Sequence, residues 1–214
     1  NARQLSEAND WESVIAHELF HQWFGDYVTA ESWSNLTVNE SFADFSETIW
    51  TEYKYGKDAG DEYNYNAMKR YIFGNPEDFK KDLVRFHYRD QEDMFDNISY
   101  PKGGRVLNML RTYLGDDAFY ASLNKYLTDN KFKSGEAHQL RLAFESVTGQ
   151  DLNWYWNQWY FHIMKQFLRI VFAQHWSKFI LQLDGNISIF RSVFRNNFKR
   201  NIFHALLVFA FLSN

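Results

Sequence analysis

The sequence predicts a mainly α-helical globular body over its first three quarters. Two observations carry this. Successive stretches of helical length open on an acidic or capping residue and close on glycine or a polar turn. Hydrophobic residues make up 45% of the 214 residues and aromatics 20%, which is enough apolar surface for one packed core and argues against disorder.

The elements follow in order. Asn9 and Glu12 stand at N-cap and N3 spacing, a capping box, so a first helix is expected from Asp10 to Phe24 with Gly25 as its stop. Asp26–Leu36 has no clear period and reads as loop or short strand. A second helix covers Val38–Tyr55 and ends at Gly56. Shorter helices are expected over Asp61–Phe73 and Glu77–Arg89, parted by Gly74-Asn75-Pro76. Pro101 can open a helix at its first position, where its missing N–H costs nothing; that helix runs to Leu114 and stops at Gly115. Asp116–Thr128, Glu136–Thr148 and Asp151–Phe161 complete the series.

Charge divides the chain. Residues 1–161 hold 16 Lys+Arg against 26 Asp+Glu, a balance of -10, while residues 162–214 hold 7 against 1, a balance of +6. The later stretch is rich in Phe, Ile, Asn, Lys and Arg and carries no motif; Asp184-Gly185-Asn186 reads as a turn. Two regions are therefore expected, 1–161 and 162–214. The overall charge of -4 argues against a general nucleic-acid binder. The absence of cysteine removes disulfides, thiolate nucleophiles and cysteine-based metal sites. The first ten residues are polar and mixed in charge, unlike a signal peptide. No apolar run is long enough for a transmembrane helix. Compartment and oligomeric state are left open.

The sharpest local pattern is His17-Glu18-Leu19-Phe20-His21. Positions i and i+4 share one helix face, so both imidazoles can point at one metal ion. Nitrogen ligands completed by a carboxylate and an open water position favour Zn2+. Glu18 then sits beside the metal, where it can take a proton from a water held there. Glu40 has eighteen residues between it and His21, and a helix returning against the first would bring it in as third ligand. Asp44 and Glu47 follow Glu40 at four and seven positions, on the same face. Either could accept the second ring N–H of a ligand histidine. The other histidines, His87, His138, His162, His175 and His204, have no ligand spacing.

The run His17–Thr29, HELFHQWFGDYVT, and the segment Leu36–Ala43, LTVNESFA, resemble the zinc-binding region of the gluzincin aminopeptidases of the alanyl or membrane type. Where that family has glycine after the third ligand, this chain has Ser41. Tyr100-Pro101-Lys102-Gly103-Gly104 is similar to the family's Y-x-K-G segment. The resemblance covers roughly residues 5–161 and implies a partial thermolysin-like zinc metallopeptidase catalytic domain, with most of its small β-sheet upstream. It implies one Zn2+ per chain on His17, His21 and Glu40, with Glu18 as general base. It implies Tyr100 as donor to the oxyanion of the tetrahedral intermediate, and it favours Glu47 over Asp44 as the partner of a ligand histidine. The implied reaction is hydrolysis of the N-terminal peptide bond of peptide substrates.

The eighteen-residue spacer departs from thermolysin-like enzymes, whose spacer is one residue longer. The glycyl-aminopeptidase-like gluzincins share it and are the nearest rival. The family's G-x-M-E-N loop, which binds the substrate amino group, has no counterpart in the sixteen residues before His17, so the chain is expected to be truncated at the front and weakly active by itself. The resemblance also stops near Phe161, which suggests that 162–214 is a divergent or out-of-frame tail. A non-catalytic scaffold of the same fold would not need the base and the tyrosine. A structural zinc would usually have four protein ligands, often cysteines.

Overall fold

A computed structural model describes residues 11–161. The expectations for Asn9, for the tail 162–214 and for its Asp184-Gly185-Asn186 turn lie outside the described residues. Seven α-helices and one two-stranded sheet are present among the described residues, in the order α1 Glu12–Phe20, β1 Val28–Ala30, α2 Thr37–Tyr55, α3 Lys57–Ile72, α4 Gly103–Leu114, α5 Asp116–Asn130, β2 Lys133–Gly135, α6 Ala137–Thr148 and α7 Asn153–Trp159. None of these helices is long and apolar enough to cross a membrane.

Helix α2 is the axis of the body. Every residue from Thr37 to Ser46 is buried, so this segment is enclosed on all sides by its neighbours. Its aromatic side chains begin a chain of ring contacts that crosses the core. Phe24 stacks on Phe42 with centroids 4.0 Å apart. Phe45 meets Phe119 at 5.5 Å, Phe119 meets Phe144 at 5.5 Å, and Phe144 meets Trp156 at 5.9 Å. Two large buried rings pair their polar tips with backbone: Tyr155 Oη donates to the Val106 carbonyl at 2.7 Å and Trp156 Nε1 to the Ala137 carbonyl at 2.8 Å. At its far end α2 stops on Gly56, whose φ of +93° breaks the helical path where a side chain would be strained.

Helix α1 leans on α2 and is tied to its end. The Glu12 carboxylate accepts hydrogen bonds from Lys54 and, at 2.9 Å, from Tyr55 Oη. Glu12 is thus engaged with α2, and the N-cap of α1 is Trp11, without a side-chain cap bond. The expected run to Phe24 is shortened for a local reason. The amides of Asp26, Tyr27 and Val28 bond back five residues, to the carbonyls of His21, Gln22 and Trp23, at 2.8, 3.1 and 3.1 Å. The helix therefore widens before β1. That strand pairs in parallel with β2, Val28 opposite Lys133 and Ala30 opposite Gly135.

Two expected helices change form. Glu77–Arg89 is helical only as a 3-10 turn over Pro76–Lys80. Beyond it tertiary contacts override propensity. Val84 N–H donates to the Tyr160 carbonyl at 3.0 Å, and Arg85 reaches Asp96 at 2.8 Å. Leu83 and Val84 are both buried. Pro101 lies inside a π-turn, Ile98–Lys102, that precedes α4. The turn is begun by Asp96, whose Oδ1 accepts from the amides of Ile98 and Ser99 at 3.0 and 3.1 Å. With no N–H at position 101 the ladder widens, and Lys102 N–H bonds to the Asn97 carbonyl at 3.0 Å.

Candidate metal centre

Helix α1 and its C-cap residue present His17 and His21 one turn apart, their rings edge to face at 5.1 Å between centroids. Helix α2 brings Glu40, in its first turn, against both. His17 Nε2 lies 3.3 Å from Glu40 Oε2, and His21 Nε2 lies 3.4 Å from the same oxygen. One donor atom from each of the three residues lies within 4.8 Å of the others.

The donor chemistry fits a divalent metal ion. Two bonds of about 2.0–2.1 Å meeting at a tetrahedral angle place their donor atoms about 3.3–3.4 Å apart. The two His–Glu40 separations have this size. The other ring nitrogens are already engaged, which aims both Nε2 atoms at the cluster. His17 Nδ1 donates to Glu47 Oε1 at 2.7 Å, and His21 Nδ1 donates to the Phe24 carbonyl at 3.0 Å.

The charges of the cluster are mutually dependent. Burial opposes protonation of His17, but hydrogen bonds to Glu40 and Glu47 outweigh it and raise its pKa to about 9. Burial likewise opposes ionisation of Glu40, while the hydrogen bonds from His17 and His21 lower it to about 2. The hydrogen bond to Glu40 also raises His21, against its partial burial. A bound cation would take the place of these protons.

Around this cluster stand Glu18, Tyr100 and Glu47. Glu18 is exposed on α1 between the two histidines. Tyr100 comes from the π-turn before α4, and its ring is nearly parallel to His17, with centroids 5.7 Å apart and planes 7° from each other. Its phenol lies close enough to Glu40 to interact with that carboxylate. Burial and the charge of Glu40 push its pKa well above the usual tyrosine range. Of the two carboxylates at helical spacing from Glu40, Glu47 is the one at His17, while Asp44 faces Arg105 Nη2 at 3.2 Å.

Three further residues support the site, and the motif reading assigned none of them a contact. Tyr63, on α3, donates its hydroxyl to Glu47 Oε2. Arg105 is fully enclosed and bonds Asp44 and, at 2.9 Å, Thr48 Oγ1. The Ser41 hydroxyl donates to the Ser99 carbonyl at 2.7 Å. Tyr63 and Arg105 join segments far apart in sequence, and no local pattern marks them. Ser41 was marked in the sequence only as the residue after Glu40; its bond to the Ser99 carbonyl, 58 positions away, was not legible there.

A helical body in which one helix offers two imidazoles and a second offers a carboxylate, all directed at one point, has the ligand set of a catalytic zinc site, with a position left for water. The chain belongs to peptidase family M1: the Peptidase family M1 domain matches residues 1–159. Aminopeptidase M1 of Arabidopsis thaliana is 32% identical over 152 residues, 69% of this chain and 17% of that protein. Probable aminopeptidase 1 of Sulfurisphaera tokodaii is 34% identical over 163 residues, 72% of this chain and 20% of that protein. Among solved structures, a mutant M1 zinc metallopeptidase of Deinococcus radiodurans bound to a Tyr-Ser-Ala substrate superposes with a TM-score of 0.60. It is 27% identical, over 70% of this chain and 33% of that one. The chain thus spans at most a fifth of the length of these two aminopeptidases.

Proposed function

We propose that this chain is the catalytic core of a zinc aminopeptidase that hydrolyses the N-terminal peptide bond of peptides. The observation that carries the reading is the His17–His21–Glu40 cluster, with donor separations of 3.3 and 3.4 Å and both Nδ1 atoms already engaged. In this reading those three residues hold one Zn2+ per chain. When bound, zinc supplies Lewis acidity, which polarises the scissile carbonyl and acidifies the attacking water.

The chain's own groups do the rest. The Glu18 carboxylate takes the proton of the attacking water and returns it to the leaving amine. Its exposure between the two histidines leaves it open to incoming water and substrate. Tyr100 donates its O–H to the oxyanion. A phenol whose pKa is held high by burial and by Glu40 stays protonated, as a hydrogen-bond donor must. Glu47 keeps His17 in the Nδ1–H tautomer and fixes the plane of its ring. The relatives named as aminopeptidases support removal of N-terminal residues in particular. A catalytic region over 1–161, with 162–214 as a separate tail, is part of the same proposal. It is supported by a family match that ends at residue 159.

The test is zinc content of the purified chain, wild type against Glu40→Gln, with hydrolysis of an alanine-type aminoacyl reporter. One zinc per chain that is lost or weakened in Glu40→Gln, together with hydrolysis, is the expected result. Zinc held as firmly by Glu40→Gln as by wild type would overturn the ligand assignment.

A further inference from the structure

We infer that Ser41 is a positioning residue that sets where Tyr100 stands over the metal cluster. It immediately follows Glu40 on α2, and its hydroxyl leaves that helix for the turn that carries Tyr100. Ser41 Oγ donates to the Ser99 carbonyl at 2.7 Å. Since that bond uses the single Ser41 proton, the 2.7 Å contact between Thr37 Oγ1 and Ser41 Oγ has Thr37 as donor. The result is a short relay, Thr37 to Ser41 to Ser99, that ends on the peptide unit joining Ser99 to Tyr100. Thr37, Ser41 and Ser99 are at most 1% exposed, so water cannot replace a lost bond and each one counts.

Packing supports the same role. A Cβ on Gly103 would stand 1.8 Å from Ser41 Oγ and 2.5 Å from Ser41 Cβ. The serine therefore occupies the space that Gly103 leaves, and α2 and the π-turn are in direct contact there. Tyr100 is carried between two fixed points, the Ser99 carbonyl held by Ser41 and the Gly103 backbone packed against the same side chain. Its phenol then meets Glu40, the residue before Ser41. A shift of the turn against α2 would move the phenol relative to Glu40 and to the ring of His17. Ser41 thus supplies a side-chain tether between the helix of the third ligand and the turn of the tyrosine.

The inference rests on Tyr100 acting on substrate as proposed above, so its test includes a readout that needs no catalysis. The full chain is labelled with 13Cζ-tyrosine, and the Tyr100 signal is assigned by its loss in Tyr100→Phe. In Ser41→Ala the Tyr100 signal is expected to move or split while zinc content and helix content stay at wild-type values. Ser41→Gly, which also removes the hydroxyl, should do the same, and unchanged zinc and helix content in either variant separates the effect from a folding failure. On an aminoacyl reporter, Ser41→Ala is expected to lower kcat roughly fivefold, the loss of one buried hydrogen bond, with KM within about twofold. In a Tyr100→Phe background the same change should cost nothing further. An unmoved Tyr100 signal in both Ser41 variants would overturn the inference. So would an equal loss of kcat with and without Tyr100. If the wild-type chain binds zinc but hydrolyses nothing, the proposed function fails while the tyrosine signal still decides the role of Ser41.

Discussion

His17 Nδ1 and Glu47 Oε1 are 2.7 Å apart, across thirty positions of sequence. The bond joins α1 to the third turn of α2, and it does not end at Glu47, whose other oxygen accepts from Tyr63 on α3. Three helices thus fix the plane of one imidazole.

Removing this support should weaken metal binding without abolishing it. Glu47→Gln is expected to reduce zinc affinity about 10- to 100-fold, the usual cost of losing the partner of a ligand histidine. Tyr63→Phe, one bond further out, should cost less. Competition with a chromophoric chelator measures both. Wild-type affinity in Glu47→Gln would show that the ring needs no such partner.

The protonation of His17 gives a pH dependence whose sign can be worked out. Its pKa in the folded chain is raised from an ordinary 6.5 to about 9. A raised folded pKa contributes stability that is full below 6.5 and is lost as pH rises through 9. In the presence of a chelator, the midpoint of unfolding is therefore expected to fall between pH 6.5 and 9. Zinc must displace the same proton, so its apparent affinity should rise over that window and level off above it. Unfolding curves with chelator and zinc titrations across this window test this, and His17→Gln should flatten the stability trend.

The parts of this site that were legible from sequence are those set by one helix or by one helical return. The i, i+4 histidines share a face by helix geometry alone. Glu40 follows from a second helix packed on the first, and its first turn does lie against them. Tyr100 was reachable only through its motif, since the turn that carries it is a π-turn and not the opening of a proline-started helix. Tyr63 and Arg105 were not legible, because each is defined by a partner on another helix. Strand β2 was missed because it is three residues long and gains its identity from Val28–Ala30, more than a hundred positions earlier. The 82–89 stretch has helical composition but is held open by Tyr160 and Asp96.

Glu18 is exposed and has no structural bond to lose among the contacts of α1. Glu18→Gln is therefore expected to keep the fold and one zinc per chain while hydrolysis falls at least about 100-fold, the lower range for a general base. Metal analysis alongside the rate separates this outcome from loss of the ion. Undiminished turnover would remove Glu18 from the mechanism.

Behind the site, Asp44 and Arg105 form a buried pair, each 4% exposed at the side chain. Burial pushes the Asp44 carboxyl upward, against the charge of Arg105 beside it. Truncating Arg105 leaves Asp44 buried without its closest cation, since Arg70 stands 4.0 Å away and is mostly exposed. Arg105→Met is expected to lower stability by about 3–5 kcal/mol, as when one member of a buried pair is removed. Thr48→Val, which removes only one hydrogen bond to Arg105, should cost about 1 kcal/mol. Denaturant unfolding measures both, and equal losses would mean that the charge pair is not the source.

The contact between Ser41 and Gly103 makes a prediction of the opposite kind, in which two damaging changes offset each other. Gly103→Ala places a methyl group 1.8 Å from Ser41 Oγ and 2.5 Å from Ser41 Cβ, and because that Cβ is fixed to the backbone of α2 it cannot simply move aside. Overpacking of this sort costs about 1–3 kcal/mol. In a Ser41→Gly background both close atoms are gone, and the nearest remaining neighbour is Leu83 Cδ1 at 3.4 Å, an acceptable contact. The double variant should therefore be more stable than Gly103→Ala alone, although it carries one more substitution at a buried position. The four proteins of this cycle, compared by denaturant unfolding, give the coupling directly. Additive losses would mean that the turn of Tyr100 does not rest on Ser41, whereas recovery in the double variant would locate the close approach of α2 and the turn at this pair.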